Sequence, residues 1–302
     1  MSETIWLTIG HSPDPDDVFM WWPLGDRERE PEIDTGRFRF EPVPEDIQTL
    51  NRRAIEIGDL DITAVSMHTY AHIAGLYAIT AAGASMGDGY GPRLVCSVDK
   101  VIKAEEVTRE DLVFAIPGRQ TSAALALQMM LGRTPKMIER RFDLIPEAVK
   151  AGEAQVGVVI HQSQITYEEE GLALIADLGE WWTGVTGLPL PLGANVVKRD
   201  LEARFGESTL EEVSAILTAS VKHAMTERET SLDYAAVYEP DLPRETAGRF
   251  VDMYVNDLTL DAGERGQMAV QAFLKQGSGL GLCPDPGDVR LVSPGKGVSP
   301  RG

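Results

Sequence analysis

Short apolar runs rich in β-branched residues alternate with stretches whose apolar side chains recur every three or four positions, and this alternation fills the first two hundred residues. The period-two and continuous runs predict strands at 4–10, 37–43, 60–65, 93–97, 111–116, 136–142, 157–160, 172–178 and 194–198. Helical spacing predicts helices at 45–57, where Ile47, Leu50, Ala54 and Ile57 share a face before Gly58, and at 123–131 and 144–151. Beyond residue 201 strands give way to helices at 210–225, 231–238, 244–254 and 263–274. The sequence therefore reads as an α/β protein whose last third packs helices back on an earlier layer.

Two stretches resist this reading. Residues 83–92 hold the densest glycine cluster before the tail and predict a tight, exposed loop whose glycines permit positive φ and close backbone approach. The cluster is neither a dinucleotide fingerprint nor a phosphate-binding P-loop, since it has no strand-turn-helix setting and no Gly-Lys-Ser or Gly-Lys-Thr. Residues 179–193, with Trp181 and Trp182 among glycines and prolines, look too broken for an ordinary helix or strand. The Gly- and Pro-rich tail, 277–302, is expected to be partly disordered.

Composition narrows the function. With 302 residues, 43% of them apolar, the chain is long enough for two lobes or one large domain. Its 28 Lys and Arg against 47 Asp and Glu repel nucleic acid and anionic membranes, so the expected partner is a small molecule, with no nucleic acid and no membrane insertion. Cys96 and Cys283 alone make neither a disulfide framework nor a zinc knuckle. The first residues lack the basic and apolar regions of a secretory signal, and no run of eighteen apolar residues follows, which points to the cytoplasm.

Candidate chemistry lies where predicted strands end and helices begin. The run Gly157-Val158-Val159-Ile160 delivers His161 at a strand's carboxyl end, where open α/β sheets bind ligands. Imidazole titrates near neutral pH and suits an acid or base, although a packed core histidine fits the same position. Ser12 precedes a helix start rich in Pro and Asp, whose N-H groups either hold an anion or carbonyl oxygen or are capped by an aspartate. Ser66 follows a strand, and Thr121 and Ser122 open a helix where free N-H groups attract a carboxylate or where Thr121 is simply the N-cap. His68 and His72 lie one turn apart, but no third ligand accompanies them, so no metal is expected.

These points and their surroundings resemble the menaquinone-biosynthesis family of 1,4-dihydroxy-6-naphthoate synthases of the futalosine pathway. The resemblance runs through His11-Ser12-Pro13 with Pro15-Asp16-Asp17, residues 46–51, 83–92 and 117–122, Ile160-His161 with Thr166-Tyr167, residues 177–193 and Tyr254-Val255-Asn256. It implies a two-lobed fold like the type II periplasmic solute-binding proteins, each lobe a mixed sheet flanked by helices with a cleft between. The crossovers are expected near Ser97 and Gly193, giving lobes of 1–97 with 194–276 and of 98–193. It further implies a lyase that splits cyclic de-hypoxanthine futalosine without metal or organic cofactor, with His161 as proton acceptor and Ser12, Ala64, Val65, Ser66, Thr121 and Ser122 in substrate-binding positions. The chain departs from the family pattern at Asp14 and Asp16, where Cys and Asn are expected, at Met67, where an aromatic is common, and at Gln162, where Glu is expected. Two rival readings are a solute-binding protein for a carboxylated ligand and the sister enzyme chorismate dehydratase.

Overall fold

The computed structural model describes residues 4–294. It has eleven strands: β1 (Ile5–His11), β2 (Phe38–Pro44), β3 (Ile62–Ser66), β4 (Tyr77–Ile79), β5 (Ser85–Gly87), β6 (Arg93–Ser97), β7 (Val113–Ile116), β8 (Lys136–Glu139), β9 (Val156–Val159), β10 (Leu172–Asp177) and β11 (Leu190–Lys198). They form two sheets. One has the order β2-β1-β3-β11-β4, with β5 also paired to β11; the other has the order β10-β6-β9-β7-β8.

Each sheet is mixed, as expected. In the first, β1 runs parallel to β2 and β3, and β11 enters antiparallel between β3 and β4. In the second, β7 is parallel to β8 and β9, whereas β6 is antiparallel to β9 and β10. The central strands β3 and β9 are buried along their whole length, which explains their unbroken apolar runs.

The expected crossovers need correction. Residues 93–97 belong to the second sheet, where β6 pairs with β9 and β10, and β11 of the first sheet already begins at Leu190. The chain therefore passes between sheets at 88–92 and 187–189. The first passage lies within the glycine cluster, whose tip Asp88-Gly89 is exposed as expected, whereas Gly83, Ala84, Met86, Gly87, Gly91 and Pro92 are buried. A Cβ on Gly87 or on Gly179 would each lie 1.9 Å from the Tyr90 carbonyl oxygen, so these glycines serve close backbone approach.

Residues 179–193 also depart from expectation. Leu178–Thr186 is a helix whose N-cap Asp177 accepts from the Gly179 and Glu180 amides at 2.8 and 3.1 Å, and Gly187 ends it at φ 72°. Cap and stop residues thus bracket nine helical residues, and a glycine count hides that punctuation. Trp182 is fully buried, donates from Nε1 to the Pro189 carbonyl at 3.0 Å and packs edge-on to Phe273, so it belongs to the core.

The last helices, Thr209–Thr226, Arg228–Ala235 and Arg244–Tyr254, pack against the helix Pro15–Trp21 beside the first sheet. Helix Gly263–Gly279 then runs five residues past its expected end and packs on β11. In the tail, Val289 is buried and Val292 bridges to Thr80 through backbone hydrogen bonds with Ile79 and Ala81, and the disorder expected at its end falls beyond Pro294. Residues 295–302 lie outside the described residues. Among the described residues no helix is long and apolar enough to cross a membrane.

Candidate active site

A cleft lies between the two sheets, with about 730 Å³ of atom-free space that includes open solvent. Ser12, Ala64, Val65, Ser66, Thr121, Ser122 and His161 all line it. They converge because the carboxyl ends of β1, β3, β7 and β9 and the loops that follow them open on the same space. No Lys or Arg is among the lining residues described, so the polar walls are hydroxyls, amides, carboxylates and one imidazole.

His161 stands two residues past β9 with φ 55°, the left-handed region that side chains rarely occupy outside Gly, Asn, Asp and His. This backbone turns the ring between Phe142 and Phe250, with centroids 4.3 and 6.0 Å away. Nδ1 lies 3.2 Å from Asp14 Oδ2, and Nε2 is buried without a hydrogen-bond partner among the described residues. Burial lowers the imidazole pKa from its ordinary 6.5, opposed by the charges of Asp16, Glu239 and Asp46. A neutral ring with one unengaged nitrogen at a cavity wall has the form of a general base.

Facing it, the loop into helix Pro15–Trp21 folds around its own carboxylates. Asp17 Oδ2 accepts from the Ser12 amide at 2.7 Å, the Asp14 amide donates to Ser12 Oγ at 3.1 Å, and the Ser12 hydroxyl donates to the Asp14 carboxylate. Three acidic groups therefore occupy a helix start that was expected either to hold an anion or to be capped. Asp14 occupies the N-cap position without a side-chain cap bond, and a second anion would be repelled. Burial pushes Asp14 up to about 6 against the Ser12 hydrogen bond. Asp16 is also pushed up to about 6, by burial and then by Asp14, and Asp17 is raised well above the ordinary range by burial and Asp16.

This has a sign for stability. A folded pKa raised above the unfolded value contributes stability that is complete below the unfolded pKa and lost as pH rises through the folded one. Asp16→Asn is therefore expected to be more stable than the unmodified protein at pH 7.5. The difference should shrink as pH falls through about 6 and vanish below about 4. Urea midpoints across this range test it, and equal midpoints at pH 7.5 would contradict the assigned burial cost.

At the opposite wall, Thr121 is the N-cap of Ser122–Leu131: its Oγ1 accepts from the Ala124 amide at 3.2 Å and donates to the Gly118 carbonyl at 2.7 Å. Ser122 Oγ donates to the Leu192 carbonyl at 2.5 Å. The hydroxyls are thus already engaged, and the donors left for a ligand are the first-turn N-H groups, which have no carbonyl inside the helix to bind. Ser66 is fixed by Asn51, whose amide donates to Ser66 Oγ at 2.9 Å and accepts from the Ser66 backbone at 2.8 Å.

Several lining residues escaped the sequence reading. Phe250 and Tyr254, one turn apart on a late helix, reach the cleft, and the Tyr254 hydroxyl pairs with the Gln164 side chain at 2.7 Å. Asn195 anchors the Gly83 carbonyl at 2.9 Å while its Oδ1 stays buried and unpaired among the described residues. Their i, i+4 spacing could have flagged the two aromatics, but nothing in the sequence says which sheet they meet. His68 and His72 stand with ring centroids 5.7 Å apart, and burial and His72 push His68 down to about 4. Among the described residues no cluster of three or more His, Cys, Asp or Glu could hold a metal ion.

Residues 7–278 match the family model described as menaquinone biosynthesis. The chain belongs to this family. A 1,4-dihydroxy-6-naphthoate synthase from Thermus thermophilus is 36% identical over 282 residues, covering 93% of this chain and 97% of that protein. A 1,4-dihydroxy-6-naphthoate synthase from Streptomyces coelicolor is 30% identical over 298 residues, covering 95% and 98%. Among solved structures, a protein from Archaeoglobus fulgidus superposes with a TM-score of 0.80 at 36% identity, covering 92% of this chain and 98% of that one. A Candida albicans protein described as having the generic periplasmic binding protein fold aligns with a TM-score of 0.68 at 9% identity, covering 96% and 98%. The latter likeness shows the fold alone: this member of the menaquinone-biosynthesis family has the periplasmic binding protein architecture, and its synthase relatives mark it as an enzyme of that biosynthesis.

Proposed function

We propose that this enzyme is a cytoplasmic carbon-carbon lyase that splits cyclic de-hypoxanthine futalosine into 1,4-dihydroxy-6-naphthoate and a small carbon fragment. The observation that carries the reading is His161, a buried imidazole at the cleft whose Nε2 has no partner among the described residues. Nε2 accepts a proton from the substrate, and the electron pair left behind drives cleavage of the carbon-carbon bond. Formation of the aromatic naphthoate makes that cleavage favourable. The substrate carboxylate is received by Ser66 and the first turn of helix Ser122–Leu131, rather than by the acidic helix start at Ser12 and Asp14. Closure of the two sheets over the cleft excludes water from the reactive intermediate.

Incubating purified protein with cyclic de-hypoxanthine futalosine should yield the naphthoate, read by mass and absorbance. Binding without turnover would overturn the lyase reading in favour of a solute-binding role, and conversion of chorismate instead would favour the sister dehydratase.

The double variant Thr121→Ala/Ser122→Ala tests the carboxylate end. Loss of the cap should cost about 1 kcal/mol of stability, and binding should weaken because the first-turn N-H donors that receive the carboxylate lose the hydroxyl bonds that hold them in place. Thermal melts and calorimetric titration separate the two effects. A lowered melting point with unchanged affinity would leave the pair only a structural role.

A further inference from the structure

We propose that Asp14 is the positioning residue for His161: its carboxylate accepts the Nδ1 proton of the imidazole and so leaves Nε2 as the bare, proton-accepting nitrogen at the cleft. The inference rests on the proposed role of His161 as base. Its geometry is independent of that role. Asp14 is only 3% exposed, its Oδ2 lies 3.2 Å from Nδ1, and the same carboxylate accepts from the Ser12 hydroxyl. Asp17 binds the Ser12 amide, so the loop that presents Asp14 is itself held in place.

A ring nitrogen beside a carboxylate keeps its proton, and the other nitrogen is then the acceptor. His161 meets both conditions. In the proton-transfer step the substrate C-H electron pair stays on carbon and the proton becomes the Nε2 proton. The imidazolium so formed keeps its Nδ1 proton on Asp14, whose charge stabilises it.

The carboxylate also has to be ionised to do this. Asp16 and Asp17 from its own helix, Asp46 at the start of helix Ile47–Glu56, Glu239 and His161 are the titratable groups about the pair, and Phe142 and Phe250 flank the ring without charge. Interacting groups of this kind titrate as a unit, so the rising limb of kcat/KM belongs to His161 together with the carboxylates around it.

The test begins with the unmodified protein without substrate. Nitrogen-15 NMR near pH 8, with His161 assigned by its absence from a His161→Asn variant, should show a protonated Nδ1 and a bare Nε2. A proton on Nε2, or an even mixture, overturns the proposal whatever the variants do. Asp14→Asn should then shift that tautomer balance and lower kcat about a hundredfold or more, with KM changed little. It should also move the rising limb of kcat/KM to lower pH, because the imidazolium loses its anionic neighbour. Asp14→Glu should restore part of the rate. An Asp14→Asn protein with unchanged tautomer, kcat and limb would equally overturn the assignment. Failure of the unmodified protein to turn over cyclic de-hypoxanthine futalosine would instead sink the lyase reading, while the NMR result would still decide the role of Asp14.

Discussion

His161→Asn is expected to fold, to keep most of its ligand affinity and to lose about a hundredfold or more of turnover, the usual scale for a missing general base. Asparagine suits this position better than alanine would. The backbone there lies at φ 55°, and Asn is among the few residues that enter the left-handed region readily. Its amide also keeps a polar group beside Asp14 in place of the imidazole. In the unmodified enzyme kcat/KM should rise with pH and reach its plateau through ionisations below 6.5, since burial favours the neutral ring. The histidine's share of that limb should be absent from the variant. Steady-state kinetics from pH 4.5 to 8.5 provide the check. Near-normal turnover, or a loss of stability alone, would make His161 a core residue.

The largest expected loss of stability belongs to Trp182→Ala. The ring is fully buried between the helix Leu178–Thr186, Phe273 and the start of β11, so its removal opens a cavity where sheet and helix meet. It also leaves the Pro189 carbonyl without its donor. Truncations of this kind cost about 3 to 5 kcal/mol. A urea midpoint lowered with an unchanged slope would report that loss. A change under about 1.5 kcal/mol would mean that the helix collapses into the space and that Trp182 is not the pin joining it to β11.

Most of the fold was legible because long strands and helices carry strong periodicity. β1, β2, β3, β6 and the helix Ile47–Glu56 fall within two residues or so of their expected bounds. β4 and β5 escaped because three residues carry too little pattern to separate a strand from a loop. The helix Leu178–Thr186 escaped for a different reason. Its glycines were read as breakers, whereas Gly179 is required by the Tyr90 carbonyl and Gly187 by a left-handed stop. At the site, strand ends and helix starts were enough to bring His161, Ser12, Ser66, Thr121 and Ser122 together. The carboxylate beside Nδ1 was not legible, because Asp14 and His161 are joined only by the approach of the two sheets.

The pairing order also dictates a sequence of folding events. β6 to β10 come from one continuous stretch, so the second sheet can close as soon as Asp177 has been synthesised. The first sheet is different: β3 waits with an open edge until β11 is made and inserts between it and β4. During synthesis, which proceeds from the amino end, the later-numbered sheet is thus the earlier to be completed. The unpaired edge of β3 is exposed to wrong partners throughout that interval. Since β11 also carries Leu192, Gly193, Ala194 and Asn195 into the cleft, the ligand site cannot exist before this last strand docks.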